Sequence, residues 1–296
     1  MSDFRNYSVG CVVLNYNDSS TTINLLKQIQ QYNSIKRIVV VDNLSTDDSF
    51  SRLLNMQKGN IDVIQTDHNG GYGYGNNYGV KFLRKKYKID YAIIANPDVM
   101  FEEQVVNELC EEMENHRDCG VIAPIQLDKN GEIIKLFAWK NPNIIQTIFN
   151  AGYLFDKWTT YYYDKSILNV SSNTKSITVG CVPGAMLMVR TSDFIDIGGY
   201  DEKNFLFWEE DMLSLKMKKN SKVTRLLTES YYIHNHSVSI NKNIPDVIKR
   251  TKILLNARYY FLKNYLSNNI GILLLAKIVF LICLLERQIV FIIKRH

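Results

Sequence analysis

Across the first 125 residues, short apolar runs alternate with stretches in which apolar residues recur every three or four positions. The runs SVGCVVLN (8–15), RIVVVD (37–42), IDVI (61–64) and YAIIAN (91–96) have the length and β-branched content of strands buried on both faces. Between them, residues 21–31, 47–56 and 75–86 carry the helical period. Strand, helix, strand at this spacing predicts right-handed βαβ units: an α/β fold with a mostly parallel sheet and flanking helices. Such sheets bind ligands beyond the carboxyl ends of their strands.

Polar residues collect at those ends. The first run closes on Asn15-Tyr16-Asn17-Asp18 and the second on Asp42-Asn43. The third leads to His68-Asn69-Gly70-Gly71, and the fourth stops at Asn96-Pro97-Asp98. Each is individually the composition of a turn or helix cap. Four at one rim point further, to a polar ligand held by the rim. The glycine cluster NGGYGYGNNYGV (69–80) does not fit a dinucleotide fingerprint. Asn76 or Tyr78 stands where the third glycine belongs, and the first strand-to-helix turn reads NYNDSS. Glycines opening a helix still let backbone approach a diphosphate, and the positive helix end favours that anion.

Beyond residue 125 the pattern is less regular. Asp128-Lys129-Asn130-Gly131 reads as a hairpin turn, and 137–165 is an aromatic segment without a period. It suits either a sugar- or lipid-facing surface or a loop-rich insert with its own core. Glu209, Glu210 and Asp211 open a helical pattern directly after Phe205, Phe207 and Trp208. Acids there can serve only the helix dipole, yet apolar neighbours could tune one of them as a base. His234 and His236 follow the strand-like YYI and are candidate metal or phosphate contacts.

Composition narrows the classes. A 296-residue chain that is 46% hydrophobic and 22% charged can bury a large core, and a net charge of +5 calls for no nucleic-acid partner. Five cysteines without CxxC spacing argue against a disulfide framework or a zinc site and for a reduced, cytosol-facing protein. The segment MSDFRNYSVG lacks the basic flank and apolar core of a signal peptide.

In order, VVLNYN, VVVDNLSTDDS, NGGYGYGNNYGV, the strand ending NPD, PGAMLMVR, GGYDE, FLFWEE and IHNHSVS resemble one family. They are similar to the family 2 inverting glycosyltransferases of GT-A fold, in the bacterial surface-polysaccharide branch that includes rhamnosyltransferases. The resemblance spans residues 9–239. It implies that Asn15 and Asp42, with Asn43 close by, hold the nucleotide base. By the same resemblance Asn69, Gly71, Gly75 and Asn77 surround the ribose and diphosphate, with Asn96 beside them. Asn96-Pro97-Asp98 corresponds to the family's metal-binding D-x-D with only the last acid kept, so Asp98 and His234 would hold a divalent metal, Mg²⁺ or Mn²⁺. Glu210 takes the base position, where Glu replaces Asp. Met212 stands where a further acid is often found, which leaves Asp211 open as an alternative base.

The implied activity is metal-dependent inverting transfer of a sugar, rhamnose being one candidate, from a UDP- or dTDP-sugar to a saccharide or lipid-linked saccharide acceptor. A catalytically inactive sugar-nucleotide-binding or assembly scaffold is the alternative that the reduced D-x-D allows. The expected organisation is a GT-A domain over 1–240, with a nucleotide-binding half (1–125) and an acceptor and catalytic half (126–240), then a helical segment over 241–296.

In 269–296 apolar runs are too short for a confident span, while Lys277, Arg287, Gln288, Lys294 and Arg295 share one side of a helical projection. A basic stripe beside a wide apolar face suggests an interfacial helix on anionic lipid, with the protein peripheral on the inner face of the cell membrane. A dimer-forming or core-packing helix is the competing reading.

Overall fold

The structure, a computed structural model, describes residues 7–152, 163, 165–170, 174–235 and 246–293. His236, Lys294, Arg295 and the aromatic residues at 153–162 lie outside the described residues. The chain begins β1 (Val9–Asn15), α1 (Ser19–Ile29), β2 (Arg37–Asp42), α2 (Ser49–Leu54), β3 (Ile61–Gln65), α3 (Gly71–Tyr87) and β4 (Tyr91–Ala95). It continues through β5 (Val99–Met100), α4 (Glu103–Asn115), β6 (Cys119–Leu127), α5 (Ile144–Phe149), α6 (Ser166–Val170), β7 (Ser176–Val179) and β8 (Met186–Arg190). The remaining elements are α7 (Thr191–Asp196), α8 (Glu209–Lys219), β9 (Val223–His234), α9 (Val247–Phe261), a π turn (Leu262–Leu266) and α10 (Ile270–Ile293).

The strands form one sheet in the order β3-β2-β1-β4-β8-β6-β9-β5, with β7 also paired to β9. The first four run parallel, as their apolar runs predict. β8 then pairs antiparallel to both β4 and β6, while β6 and β9 are parallel. Side chains alternate across the pleat into two cores. Cys11, Val13, Ile38, Val40 and Ile93 face α1, α2 and α4, whereas Val12, Val39, Val41, Ala92 and Ile94 face α3 and α8. From β1 the chain moves outward through β2 and β3, then returns over the opposite face through α3 to β4. A crevice therefore opens between the carboxyl ends of β1 and β4.

Helix α3 begins at Gly71, earlier than the sequence pattern indicates. Its glycines let it lie close on the sheet: a Cβ on Gly75 would fall 2.2 Å from Leu14 Cδ1, and one on Gly79 would fall 2.4 Å from Val12 Cγ1. The turn at 128–131 forms as read, with Gly131 at φ +82° and an isolated antiparallel bridge from Leu127 to Ile133.

Helix α10 divides the two readings of the C-terminal segment between its faces. Ala276, Val279, Phe280 and Cys283 are buried in a small core shared with α5 and α9. Ile270, Leu274, Ile278, Leu281, Leu285, Ile289 and Ile293 are exposed at three- and four-residue spacing. Among the described residues no helix is long and apolar enough to cross a membrane.

Candidate active site

The polar ends of β1, β2 and β3 form a continuous hydrogen-bond network. Asn15, at the end of β1, donates to Asp42 Oδ1 (2.8 Å) and accepts from the Thr22 hydroxyl (2.8 Å). Asp42 also accepts from the Ser45 hydroxyl (2.6 Å), the Ser45 amide (3.0 Å) and Gln65 Nε2 (3.0 Å). Asn43 donates to Asn69 Oδ1 (2.9 Å) and to the Gly71 carbonyl (3.1 Å), and accepts from Thr66 (3.1 Å). Asn15, Asp42 and Asn43 are fully or almost fully buried. Such bonds are needed because an unpaired buried polar group costs about 1–3 kcal/mol. Gly71 has φ +86°, and a Cβ there would lie 2.0 Å from the Phe205 carbonyl oxygen; only glycine can bring this turn against the 198–208 loop.

Asn77 and Gly75 are placed differently from the ligand-facing positions the resemblance implies. Gly75 faces Leu14 inside the fold. Asn77 is wholly buried: it accepts from the Tyr200 amide (2.8 Å) and donates to the Tyr200 carbonyl (3.0 Å) and Glu202 Oε1 (2.8 Å). It thus acts on the rim through the loop it holds.

At the NPD triplet, Asn96 donates its amide to the Ala185 carbonyl (2.8 Å) and lines an open cleft of about 530 Å³. The short strand β5 pairs antiparallel with the end of β9, in the register Val99 opposite His234. That register brings Asp98 Oδ1 to 3.1 Å from His234 Nε2, although 136 residues separate them. On the other edge of the imidazole, Gln126 Nε2 lies 3.1 Å from Nδ1, while the Tyr232 hydroxyl donates to Gln126 Oε1 (2.8 Å). With the amide oriented by Tyr232, Gln126 donates to Nδ1, and Nε2–H points at Asp98. His234 and Gln126 also line the cleft.

Among the described residues no group of three or more His, Cys, Asp or Glu side chains converges as a closed metal cage. Asp98 and His234 do provide one carboxylate and one imidazole in contact. That donor pair fits a divalent cation drawing its other ligands from phosphate and water, as Mg²⁺ and Mn²⁺ do.

The acids lie on a neighbouring wall of the same cleft. Phe207 (φ 72°) and Trp208 (φ 67°) are consecutive left-handed residues immediately before α8, a conformation that costs bulky side chains of order 1–3 kcal/mol each. The Asn204 side chain donates to the Phe207 carbonyl at 2.6 Å and helps hold the bend. It turns the chain so that Glu209, Glu210 and Asp211 form the first turn of α8.

Glu210 Oε1 accepts from the Gly184 amide at 3.1 Å. A Cβ on Gly184 would lie 2.5 Å from that oxygen, and the Gly184 carbonyl accepts from the Tyr72 hydroxyl at 2.7 Å. Burial raises the Glu210 carboxyl, with the Gly184 amide pulling the other way. Asp211 is more deeply enclosed: its Oδ1 accepts from Trp139 Nε1 at 2.9 Å, and burial pushes its carboxyl up to about 7 against that hydrogen bond. Glu209 is raised further, by burial and then by the adjacent Glu210 charge, and its Oε1 has no hydrogen-bond partner. Glu210 is the most exposed of the three.

The loop ahead of the acids is clasped from the C-terminal helices. Trp208 packs on Phe261 (centroids 5.0 Å apart) and under the Arg258 guanidinium (4.8 Å). Tyr260 and Tyr265 both donate to Asp201 Oδ2, at 3.0 and 2.8 Å. Residues five apart point in different directions on an α-helix; the π turn at Leu262–Leu266 brings the two hydroxyls to one oxygen. Ser45, Gln126, Gly184, Arg258 and this clasp are absent from the sequence-based site. Ser45, Gly184, Asp201 and Trp208 do fall inside quoted motifs, VVVDNLSTDDS, PGAMLMVR, GGYDE and FLFWEE, whereas Gln126 and the α9 residues fall inside none.

The family model described as "Glycosyl transferase family 2" matches residues 11–191. The chain is 23% identical over 217 residues to the N-acetylglucosaminyl-diphospho-decaprenol L-rhamnosyltransferase of Mycobacterium tuberculosis, covering 70% of this chain and 68% of that protein. To rhamnosyltransferase WbbL of Escherichia coli K12 it is 21% identical over 201 residues, covering 67% and 73%. Among solved structures, GalNAc-T7 with UDP, GalNAc and Mn²⁺ superposes with a TM-score of 0.60 at 13% identity over 79% of this chain and 45% of that one. Staphylococcus aureus TarS 1–349 with UDP-GlcNAc superposes at 0.55 and 15%, over 87% and 67%. These neighbours share the GT-A-like fold.

Proposed function

The chain belongs to glycosyl transferase family 2 and is therefore a glycosyltransferase; from that premise we propose a metal-dependent, inverting transfer from a nucleotide sugar to a lipid-linked or polysaccharide acceptor. The observation that carries this reading is one cleft lined by His234, in contact with Asp98, and by Glu210, fixed by the Gly184 amide.

Asp98 and His234 would hold the cation, which when bound neutralises charge on the departing diphosphate. For Nε2 to serve as a ligand, the imidazole proton would sit on Nδ1, and Nδ1–H would donate a hydrogen bond to Gln126 Oε1 with the amide turned over and its NH2 donating to the Tyr232 hydroxyl. The Asn15, Asp42 and Asn43 network gives the nucleoside a rigid polar floor.

Glu210 takes the proton of the acceptor hydroxyl as that oxygen bonds to the anomeric carbon and the carbon–oxygen bond to the diphosphate breaks on the opposite side. One displacement inverts the centre, and a positioned base is worth on the order of 10²- to 10⁴-fold. Burial raises the Glu210 carboxyl above its ordinary value, which makes it a stronger base than an exposed glutamate. Asp211, tied to Trp139, serves as support.

The relatives named as rhamnosyltransferases favour rhamnose as the transferred sugar, and the one named for a diphospho-decaprenol favours a lipid-linked acceptor. The exposed apolar stripe of α10, together with Lys277, Arg287, Lys294 and Arg295 in the sequence, suits attachment to the cytoplasmic face of a membrane.

The test is a thermal-shift panel of UDP-, dTDP- and GDP-sugars with Mn²⁺, followed by transfer assays on wild type and Glu210→Gln. One donor class should raise the melting temperature of both proteins, and only wild type should transfer. Undiminished transfer by the variant would refute the base assignment.

A further inference from the structure

Val182, Pro183 and Gly184 lie between β7 and β8, and among the described residues they make no backbone–backbone hydrogen bond; Pro183 has no N–H to give. Gly184 is held instead by two side chains. Its amide donates to Glu210 Oε1 at 3.1 Å, and its carbonyl accepts from the Tyr72 hydroxyl at 2.7 Å. Those partners stand 26 and 112 positions away in the chain, so the first turn of α3, this connection and the first turn of α8 meet at one glycine. A larger residue would break the meeting, because a Cβ there falls 2.5 Å from Glu210 Oε1. Tyr72 is itself fixed: its amide donates to the Phe205 carbonyl (3.0 Å), its carbonyl accepts from Asn76 Nδ2 (3.0 Å), and its ring meets Tyr200 edge-on with centroids 5.6 Å apart.

We propose that Tyr72 is a positioning residue for the base: by holding the Gly184 carbonyl, its hydroxyl keeps the Gly184 amide aimed at Glu210 Oε1. This rests on the reading of Glu210 as the base. All three residues line the same cleft. On α8 the ionisable neighbours of Glu210 are Glu209 and Asp211; Tyr200, Tyr232 and Cys181 face it from the elements packed around it, and His234 and Arg258 share the cleft. Among the described residues none of these is hydrogen-bonded to the Glu210 carboxylate, whose bonds come from the Gly184 amide and its own. An amide bonded to a carboxylate favours the ionised form, so slackening the Gly184 bond raises the Glu210 carboxyl. The competing role is a core tyrosine that does no more than satisfy a carbonyl, and it would leave Glu210 where it is.

The experiment is a carboxyl-carbon NMR titration of the full chain labelled at glutamate, with the Glu210 signal identified by its loss in Glu210→Gln. In Tyr72→Phe the Glu210 midpoint should rise by about one pH unit, the scale of one weakened bond to a charged group, while glutamates away from the cleft keep theirs. A ring-fluorinated tyrosine at position 72 is a stronger donor of nearly the same shape and should hold the midpoint at or below that of wild type. A midpoint unmoved or lowered in Tyr72→Phe overturns the proposal. A rise with the fluorinated residue overturns it too, and decides alone should Tyr72→Phe fail to fold. Transfer from the donor selected by the thermal-shift panel is the second readout: Tyr72→Phe should lower kcat several-fold and leave KM for the donor unchanged. A raised KM with kcat intact would make Tyr72 a donor contact and overturn the positioning role. Undiminished transfer by Glu210→Gln defeats the base reading, and the NMR midpoints still decide whether Tyr72 holds Glu210.

Discussion

Asp211→Asn separates the roles of the paired acids and can be worked through quantitatively. The Asp211 carboxyl rises from 3.8 to about 7 in the folded protein, chiefly by burial. At about 1.36 kcal/mol per unit, this makes the ionised residue a burden of roughly 4 kcal/mol as an upper figure. The sign follows from linkage. Below about pH 4 both folded and unfolded chains carry the proton and nothing is lost. Between about 4 and 7 the folded chain holds a proton the unfolded chain has shed, so this one contribution to stability falls as pH rises and is gone above about 7. An asparagine occupies the same space and still accepts from Trp139 Nε1, so the variant removes the charge and keeps the hydrogen bond. Melting temperatures of the two proteins should coincide near pH 4.5 and separate with pH. The variant should be higher by several degrees at pH 8, about 2 °C per kcal/mol in a chain of this size. Its transfer rate should stay within about tenfold of wild type if Glu210 is the base, given the 10²-fold or greater loss expected for removing one. A difference flat with pH would refute the buried-charge argument, and a 10³-fold loss of transfer would move the base to Asp211.

Asp98→Ala and His234→Ala should each flatten the response of activity to added Mn²⁺ and, by leaving the other buried group unpaired at about 1–3 kcal/mol, lower the melting temperature by a few degrees; metal titrations superimposable on wild type would remove both from the cation site. Asn77→Ala strips both hydrogen bonds from the buried Tyr200 peptide, at roughly 2–3 kcal/mol, and a melting point unaltered in calorimetry would show that the loop is held elsewhere. A paired Ile278→Glu and Leu285→Glu replacement changes two exposed positions on α10 and should leave folding intact while abolishing sedimentation with anionic vesicles; vesicle binding retained with loss of a dimer in light scattering would assign the face to a second copy.

The parallel half of the sheet was legible because strands buried on both faces must be apolar runs, and their polar ends marked the rim. The resemblance assigned Asp98 and His234 to a metal and Glu210 to the base; in the structure His234 and Glu210 line one cleft, and Asp98 meets His234 through a two-residue strand whose register with β9 links positions 136 residues apart. No local pattern encodes that pairing. The resemblance assigned Asn77 to the ribose and diphosphate; its partner Tyr200 is 123 positions away, and only the folded loop shows its side chain engaged there. Arg258 was unreadable for a different reason. In the sequence it is one basic residue on a helix of mixed polarity, and its burial depends on Trp208 arriving in a left-handed turn that aromatic residues rarely adopt.

That turn has a consequence for the order in which the structure is completed. Synthesis proceeds from the amino end, and the acids of α8 leave the ribosome about fifty residues ahead of the side chains that brace Trp208 and Asp201. Until Arg258, Tyr260, Phe261 and Tyr265 are in place, nothing from the C-terminal helices offsets the strain at Phe207 and Trp208. Full bracing of the turn therefore waits on the same stretch of helix that leads into the apolar stripe of α10.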